Sequence, residues 1–263
     1  MPLMPPASLL DSALRPRAQH VCLEIQQLSR NYKVADIKVE MEKIRKEGQE
    51  RVAATGQAIC VFADNVPADV AQDILSGLGL MTALANKKFN KETQQREWYN
   101  FYNDGLIKFG WTMTGTAHAE DAIDEDDLTL ADLITKSVTI SVAADPRRAA
   151  CARRALQVVV QKPEVKAHLE KHSHSESGKS SNFVVAQCEM TPQGLPAMYM
   201  TSFQASYDSK IEREGALTRK VDKTSTRVYR ASQQGTFSVR HFDAARELVN
   251  EKVKKDLGEF FTS

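Results

Sequence analysis

Arg96–Met113 reads REWYNFYNDGLIKFGWTM, the most aromatic stretch of a chain that is only 7% aromatic. At helical spacing Trp98, Tyr102, Gly105 and Phe109 share one face, and Phe101 and Leu106 widen it. Gly110 supplies a helix stop, and Trp111-Thr-Met-Thr begins a strand. Each large ring carries about 150–250 Å² that water disfavours, so this helix must lie against a core. The stretch therefore predicts architecture, a helix packed on a sheet, rather than chemistry.

Working towards the N-terminus, Pro67–Phe89 predicts a second helix, with Val70, Ile74, Leu78, Met81 and Ala85 on one face. Gly77 and Gly79 each weaken it by roughly 1 kcal/mol relative to alanine, which predicts close approach of a neighbour. Ala58–Ala63 is a short apolar run bounded by Gly56 and the Asn65/Pro67 turn, fitting a buried strand. Val34–Thr55 spaces Glu40, Lys43, Glu47 and Glu50 against Ile37, Met41 and Ile44, and predicts a helix. His20–Leu28 alternates as a short strand, and residues 1–18 form a loose, proline-broken arm.

Working towards the C-terminus, His118–Asp127 is acidic but lacks the central glycine and closing glutamate of a calcium loop, so a solvated loop is expected. Asp127 or Thr129 caps a helix over Leu128–Val142, with Leu130, Leu133 and Ile134 inward. Further helices are predicted over Arg147–Gln161 and Pro163–His172. Lys171–Ser181, KHSHSESGKSS, reads as a polar linker. His168, His172 and His174 crowd its start, but no metalloprotease pattern follows, and a surface cluster is the reading.

Asn182–Met190 and Ala197–Tyr207 alternate and flank Thr191-Pro-Gln-Gly, a hairpin that puts Phe183, Val185 and Gln187 opposite Val184, Ala186 and Cys188. One or two strands around Val228 and Phe237 precede a closing helix over His241–Gly258. The fold class is α+β with an α/β-like character: a helix-rich N-terminal two-thirds packs on a C-terminal antiparallel sheet capped by the closing helix. A single domain is expected over 19–263, with the linker 171–181 inside it.

Composition limits the function classes. Lys+Arg 35 against Asp+Glu 34 leaves a net charge of +1, which provides no footprint for nucleic acid. Four scattered cysteines form no CxxC pair, suggesting neither zinc nor a disulfide framework. The N-terminus lacks the pattern of a secretory signal, so cytoplasmic synthesis is expected, with release or delivery to a host membrane needing dedicated machinery. No nucleophile elbow, phosphate loop or dinucleotide fingerprint occurs, and the reading leans away from an enzyme, with no catalytic residue, metal or soluble cofactor assigned. Cys188 stands out as either a buried hydrophobe or a thiol carrying an acyl or redox adduct.

The order of parts carries a resemblance. An apolar helix ending ALANKKF is followed by WYNFY…LIKFGW, a variable helical middle, NFVVAQCE, an aromatic hairpin and a helix beginning FDAARELVNEKV. Over about residues 55–258 this resembles Erwinia virulence factor (Evf)-like bacterial proteins. The resemblance implies a non-enzymatic protein of α/β type with a palmitate-like fatty acyl group on a core cysteine, and Cys188 in NFVVAQC is the matching position. Under that implication Ile74, Leu78, Met81, Trp98, Tyr102 and Phe109 wall the lipid pocket, although the same residues also serve as plain core.

The partner is then a lipid or membrane surface. Cytolytic toxins of the Cyt type are similar in architecture alone, with helix 67–89 as their mobile element. Two other functions stay open: a soluble binding protein with unmodified Cys188, and a cysteine-dependent acyl transferase or hydrolase using His241 or His118.

Overall fold

The computed structural model describes residues 39–43, 51–90, 92–115, 119–121, 128–141, 161, 163–175, 177–210, 215–222, 224–243, 245–247 and 249. Eight strands in these residues form one mixed sheet. They are β1 (Val39–Lys43), β2 (Arg51–Thr55), β3 (Ala58–Phe62), β4 (Trp111–Gly115), β5 (Ala119–Asp121), β6 (Ser180–Met190), β7 (Pro196–Tyr207) and β8 (Thr226–Phe237). The order is β1-β2-β3-β6-β7-β8-β4, with β5 also on β8. Only β3 and β6 run parallel among these pairs. Four helices are described in full: α1 (Ala68–Lys88), α2 (Gln95–Lys108), α3 (Leu130–Ser141) and α4 (Pro163–Ser173). A closing helix occupies positions 239–243, 245–247 and 249.

The sheet is covered on both faces, and the alternation of each strand divides its residues between two apolar clusters. Val184, Ala186 and Cys188 of β6 face α1, α2 and the closing helix. Phe183 and Val185 face Leu130, Leu133 and Ile134 of α3 and Leu169 of α4. Burial of both faces explains why Ala58–Phe62 is apolar throughout instead of alternating.

The α+β class and the decisive stretch are as the sequence predicts. Residues 95–108 are helical, Gly110 turns the chain at φ +100, and β4 follows directly. A Cβ at Gly110 would sit 3.0 Å from the Ser238 carbonyl, so both conformation and space require glycine there. The predicted β6–β7 hairpin is present and pairs Cys188 with Met198 and Phe183 with Phe203. The expected α3 cap is Thr129: its hydroxyl accepts from the Asp132 N–H at 3.1 Å, while the Asp132 carboxylate accepts from the Thr129 N–H at 2.9 Å.

Besides Ala119–Asp121, which form β5 on β8 where a solvated loop is expected over His118–Asp127, two expectations differ from the structure. The helix predicted over Val34–Thr55 is, in its described part, the antiparallel pair β1 and β2. Val39-Glu40-Met41-Glu42-Lys43 satisfies period two as well as it satisfies helical spacing, and pairing with β3 decides between them. The sheet therefore draws its first three strands from the N-terminal part of the chain, and the parallel β3–β6 contact ties front to back.

The polar linker is the second. Ser173, His174, Ser175, Ser180 and Ser181 are buried where α4 runs into β6. Hydrogen bonds serve part of this run: His174 Nδ1 and Ser181 Oγ lie 2.8 Å apart, and the Ser180 N–H donates to Ser175 Oγ at 3.0 Å, while the Ser173 and Ser180 hydroxyls are buried without a partner. The arm 1–18, the strand at His20–Leu28, most of the acidic loop, helix Arg147–Gln161 apart from Gln161, and the end of the closing helix lie outside the described residues.

Glu170 is a polar group holding two segments together. Its buried carboxylate accepts from the N–H groups of Gly215 at 3.1 Å and Leu217 at 3.0 Å, with Lys166 Nζ 3.8 Å away. Removing it leaves two N–H groups without that acceptor. Glu170→Ala is expected to cost about 2–3 kcal/mol in urea unfolding, and a loss under 0.5 kcal/mol would show that water replaces the carboxylate.

Candidate functional site

The site is built around a sulfur on the α1/α2 side of the sheet. Cys188 lies two residues from the end of β6, paired with Phe62 of β3 on one side and Met198 of β7 on the other. It is 2% exposed. Burial pushes its thiol well above the ordinary value, with Cys60 and Glu189 adding to the effect. Since the thiolate is the reactive form, the folded core protects this sulfur.

All six residues expected to wall a lipid chamber share one apolar cluster with Cys188: Ile74, Leu78 and Met81 from α1, Trp98 and Tyr102 from α2, and Phe109 just after it. Each is at most 4% exposed. The α1–α2 contact is tight. A Cβ at Gly105 would fall 2.0 Å from the Met81 methyl, so the glycine makes the seat that this methionine fills. Trp98 and Tyr102 stack at 5.1 Å between ring centroids. A Cβ at Gly77 of α1 would rest 3.8 Å from the rings of both Phe109 and Phe242. That is ordinary contact with room for a side chain, so the close approach expected at this glycine is not required there.

Sequence reasoning missed a second thiol. Cys60 of β3 pairs with Ala186, two residues from Cys188 along β6, and is fully buried in the same cluster. Burial raises it from 9.0 to about 12. Its signal was a cysteine inside a wholly apolar strand, but the neighbourhood of Cys188 depends on a parallel register that no local pattern encodes. Met81, Met198 and Met200 complete a soft, deformable surround in that cluster. Cys22 and Cys151 lie outside the described residues.

The histidines are placed elsewhere. His241 Nε2 lies 3.2 Å from the Lys108 carbonyl, at the turn into β4, and His118 lies outside the described residues. His174 is buried against Ser181, and His172 is half-buried at the end of α4. Among the described residues no group of three His, Cys, Asp or Glu side chains is placed to hold a metal.

No protein-family model and no curated protein matches the chain. The fold resembles that of the Evf virulence factor. That solved structure is 16% identical, covers 90% of this chain and 89% of its own, and superposes with a TM-score of 0.37. A delta-endotoxin is 10% identical, covering 77% of this chain and 89% of that one, with a TM-score of 0.39. The activated Cyt2Ba monomer from Bacillus thuringiensis subsp. israelensis is 10% identical, covering 67% and 94%, with a TM-score of 0.35. These are likenesses of outline, and the chemistry of the site rests on its own residues.

Proposed function

We propose that the chain is a non-enzymatic protein of virulence-factor or toxin-like type that associates with membranes through a fatty acyl group on Cys188. The supporting observation is the shared apolar cluster of Cys188 and the lining residues of α1 and α2. A tail attached at this sulfur enters surroundings made of hydrocarbon, sulfur and aromatic rings, and gains about 0.8 kcal/mol for each CH₂ taken from water. Methionines yield most readily to an added chain, because three rotatable bonds let them repack. No helix of the described residues is long and apolar enough to cross a membrane.

The same burial sets the order of events. A thiol pushed well above its ordinary value inside a closed core is acylated before the core closes, or when the α1–α2 hairpin swings away. Intact mass before and after hydroxylamine is the test. A mass excess of one fatty acyl group, removed by hydroxylamine and absent in Cys188→Ser, is expected, together with dye release from liposomes that the variant fails to cause. An unmodified mass with sealed liposomes overturns the reading.

That outcome would leave a soluble binding protein with free Cys188. The 2% exposure of the residue favours this second reading.

A further inference from the structure

The sheet face under α2 changes character along its length. At one end β6 and β7 set Val184, Ala186 and Cys188 beside Met198 and Met200, all in the apolar cluster. Alternation along the same strands carries that face on to Ser180 and Asn182 of β6 and to Ser202, Gln204 and Ser206 of β7. The start of α2 rests on this polar end. Gln95 Nε2 donates to Ser206 Oγ at 3.4 Å, and the Tyr99 hydroxyl lies beside Ser202 and Asn103. Further along, Leu106 of α2 and Phe109 just after it belong to the apolar cluster of Cys188.

The polar floor is poorly served. Ser180 Oγ, Asn182 Oδ1 and Gln204 Nε2 belong to residues more than nine-tenths buried, and none has a protein partner among the described residues. Asn182 and Gln204 are directly paired across the ladder, yet this acceptor and this donor do not bond. A cavity of about 20 Å³ lies among Asn182, Gln204, Gln95, Trp98 and Tyr99, room for about one water. Gln57, between β2 and β3, borders it too, with neither end of its fully buried amide bonded. Above the cavity α2 begins without a side-chain cap, and the Gln95 bond is long for an N–H donor. The other end of α2 is held: the Gly110 carbonyl accepts from the Ser238 N–H at 2.9 Å, and Met81 fills the seat at Gly105.

The two ends of α2 therefore differ in what separation costs. Unpartnered buried polar atoms have given up hydration without replacement, and opening returns it to them. Apolar side chains lose by the same motion. We propose that α2 parts from the sheet from its Gln95 end, with water entering over Asn182 and Gln204 while Gly105–Phe109 stays seated as the hinge. The opening runs up the sheet towards Cys60, which pairs with Ala186, before it reaches Cys188. As the route by which Cys188 is reached for acylation it rests on the acyl reading above; as a motion of α2 it does not.

Amide hydrogen exchange and iodoacetamide labelling of the full chain, both without denaturant, test it. The amides of Tyr99–Tyr102 are expected to exchange faster than those of Gly105–Phe109, and Cys60 to be labelled before any free Cys188. Joint replacement Asn182→Leu and Gln204→Met puts apolar side chains of similar shape where the unpartnered atoms stand. It is expected to slow exchange at Tyr99–Tyr102 and labelling of Cys60 by about fivefold or more. Gln204→Met alone carries the test should the double variant fail to fold. Ser173→Ala removes an unpartnered buried hydroxyl at the end of α4, outside this seam, and is expected to change neither rate. Unchanged or faster rates in the seam variants overturn the proposal. So does equal slowing by Ser173→Ala, which would make the opening a global unfolding. Both readouts stand on α2 amides and Cys60, so an unmodified Cys188 would overturn the acyl reading and leave this one intact.

Discussion

Raising the pH from 9 to 12 is expected to unfold the protein. Burial holds the Cys60 thiol at about 12 against 9.0 in an exposed chain, and the Tyr207 phenol at about 12 against 10.0. The Cys188 thiol and the Tyr102 phenol are pushed up as well, again chiefly by burial. In every case the folded value exceeds the unfolded one, so in the interval between them the unfolded chain holds fewer protons than the native protein. Stability is therefore complete below pH 9 and falls as pH rises through the folded values.

Cys60 alone accounts for a loss on the order of 4 kcal/mol by pH 12 and Tyr207 for about 3 kcal/mol. Set against a usual total of about 5–15 kcal/mol, that is enough to unfold a domain of ordinary stability. Urea titrations at stepped pH, followed by tryptophan fluorescence, provide the measurement. Cys60→Ala should show a shallower fall above pH 9 than the parent chain. An undiminished urea midpoint at pH 11 would mean that these groups meet water in the native state.

The second large effect concerns the closing helix. Phe242 is fully buried, with its ring centroid 5.4 Å from that of Phe237 and 6.1 Å from that of Phe109. Its ring lies 3.8 Å from where a Cβ at Gly77 would stand, an ordinary contact. One turn later Arg246 forks onto the buried Asp73 of α1, with Nε and Nη2 donating to the carboxylate at 3.0 and 2.6 Å. Phe242→Ala removes the packing and leaves a cavity among three elements, and is expected to cost about 3–5 kcal/mol.

Arg246→Gln keeps the ring and loses the fork together with the ion pair to Asp243; the arginine side chain is 35% exposed, which screens part of the loss, but Asp73 stays buried without this partner. The two variants separate packing from charge. With Phe242→Ala, iodoacetamide should reach Cys60 and Cys188 in mild urea that leaves the parent thiols protected. Equal protection in both proteins would show that the closing helix does not govern access to this core.

Local segments of this chain declare themselves where one period fits and its neighbours agree. Arg96–Met113 carries aromatic residues at helical spacing, a glycine stop and a strand start, and the helix, turn and β4 follow in that order. NFVVAQCEM divides its side chains between two faces because a strand does so wherever it lies, and both clusters respect that division. VEMEK fits two periods, and its place beside β2 resolves it. The serine-rich run at 171–181 reads as solvent-facing because composition cannot count hydrogen bonds, and the His174–Ser181 contact and the Ser180 N–H bond to Ser175 help bury those residues.

The sequence by itself determined α1, α2, α3 and the β6–β7 hairpin, the inward faces of those elements, and the position of Cys188 in an apolar strand. Only the tertiary structure decided that Cys60 lies beside it and that helices cover both sides of the sheet. The reason is range. Periodicity and turn chemistry act within a few residues. The β3–β6 pairing joins positions more than a hundred residues apart, and its register is selected by the burial of whole faces at once.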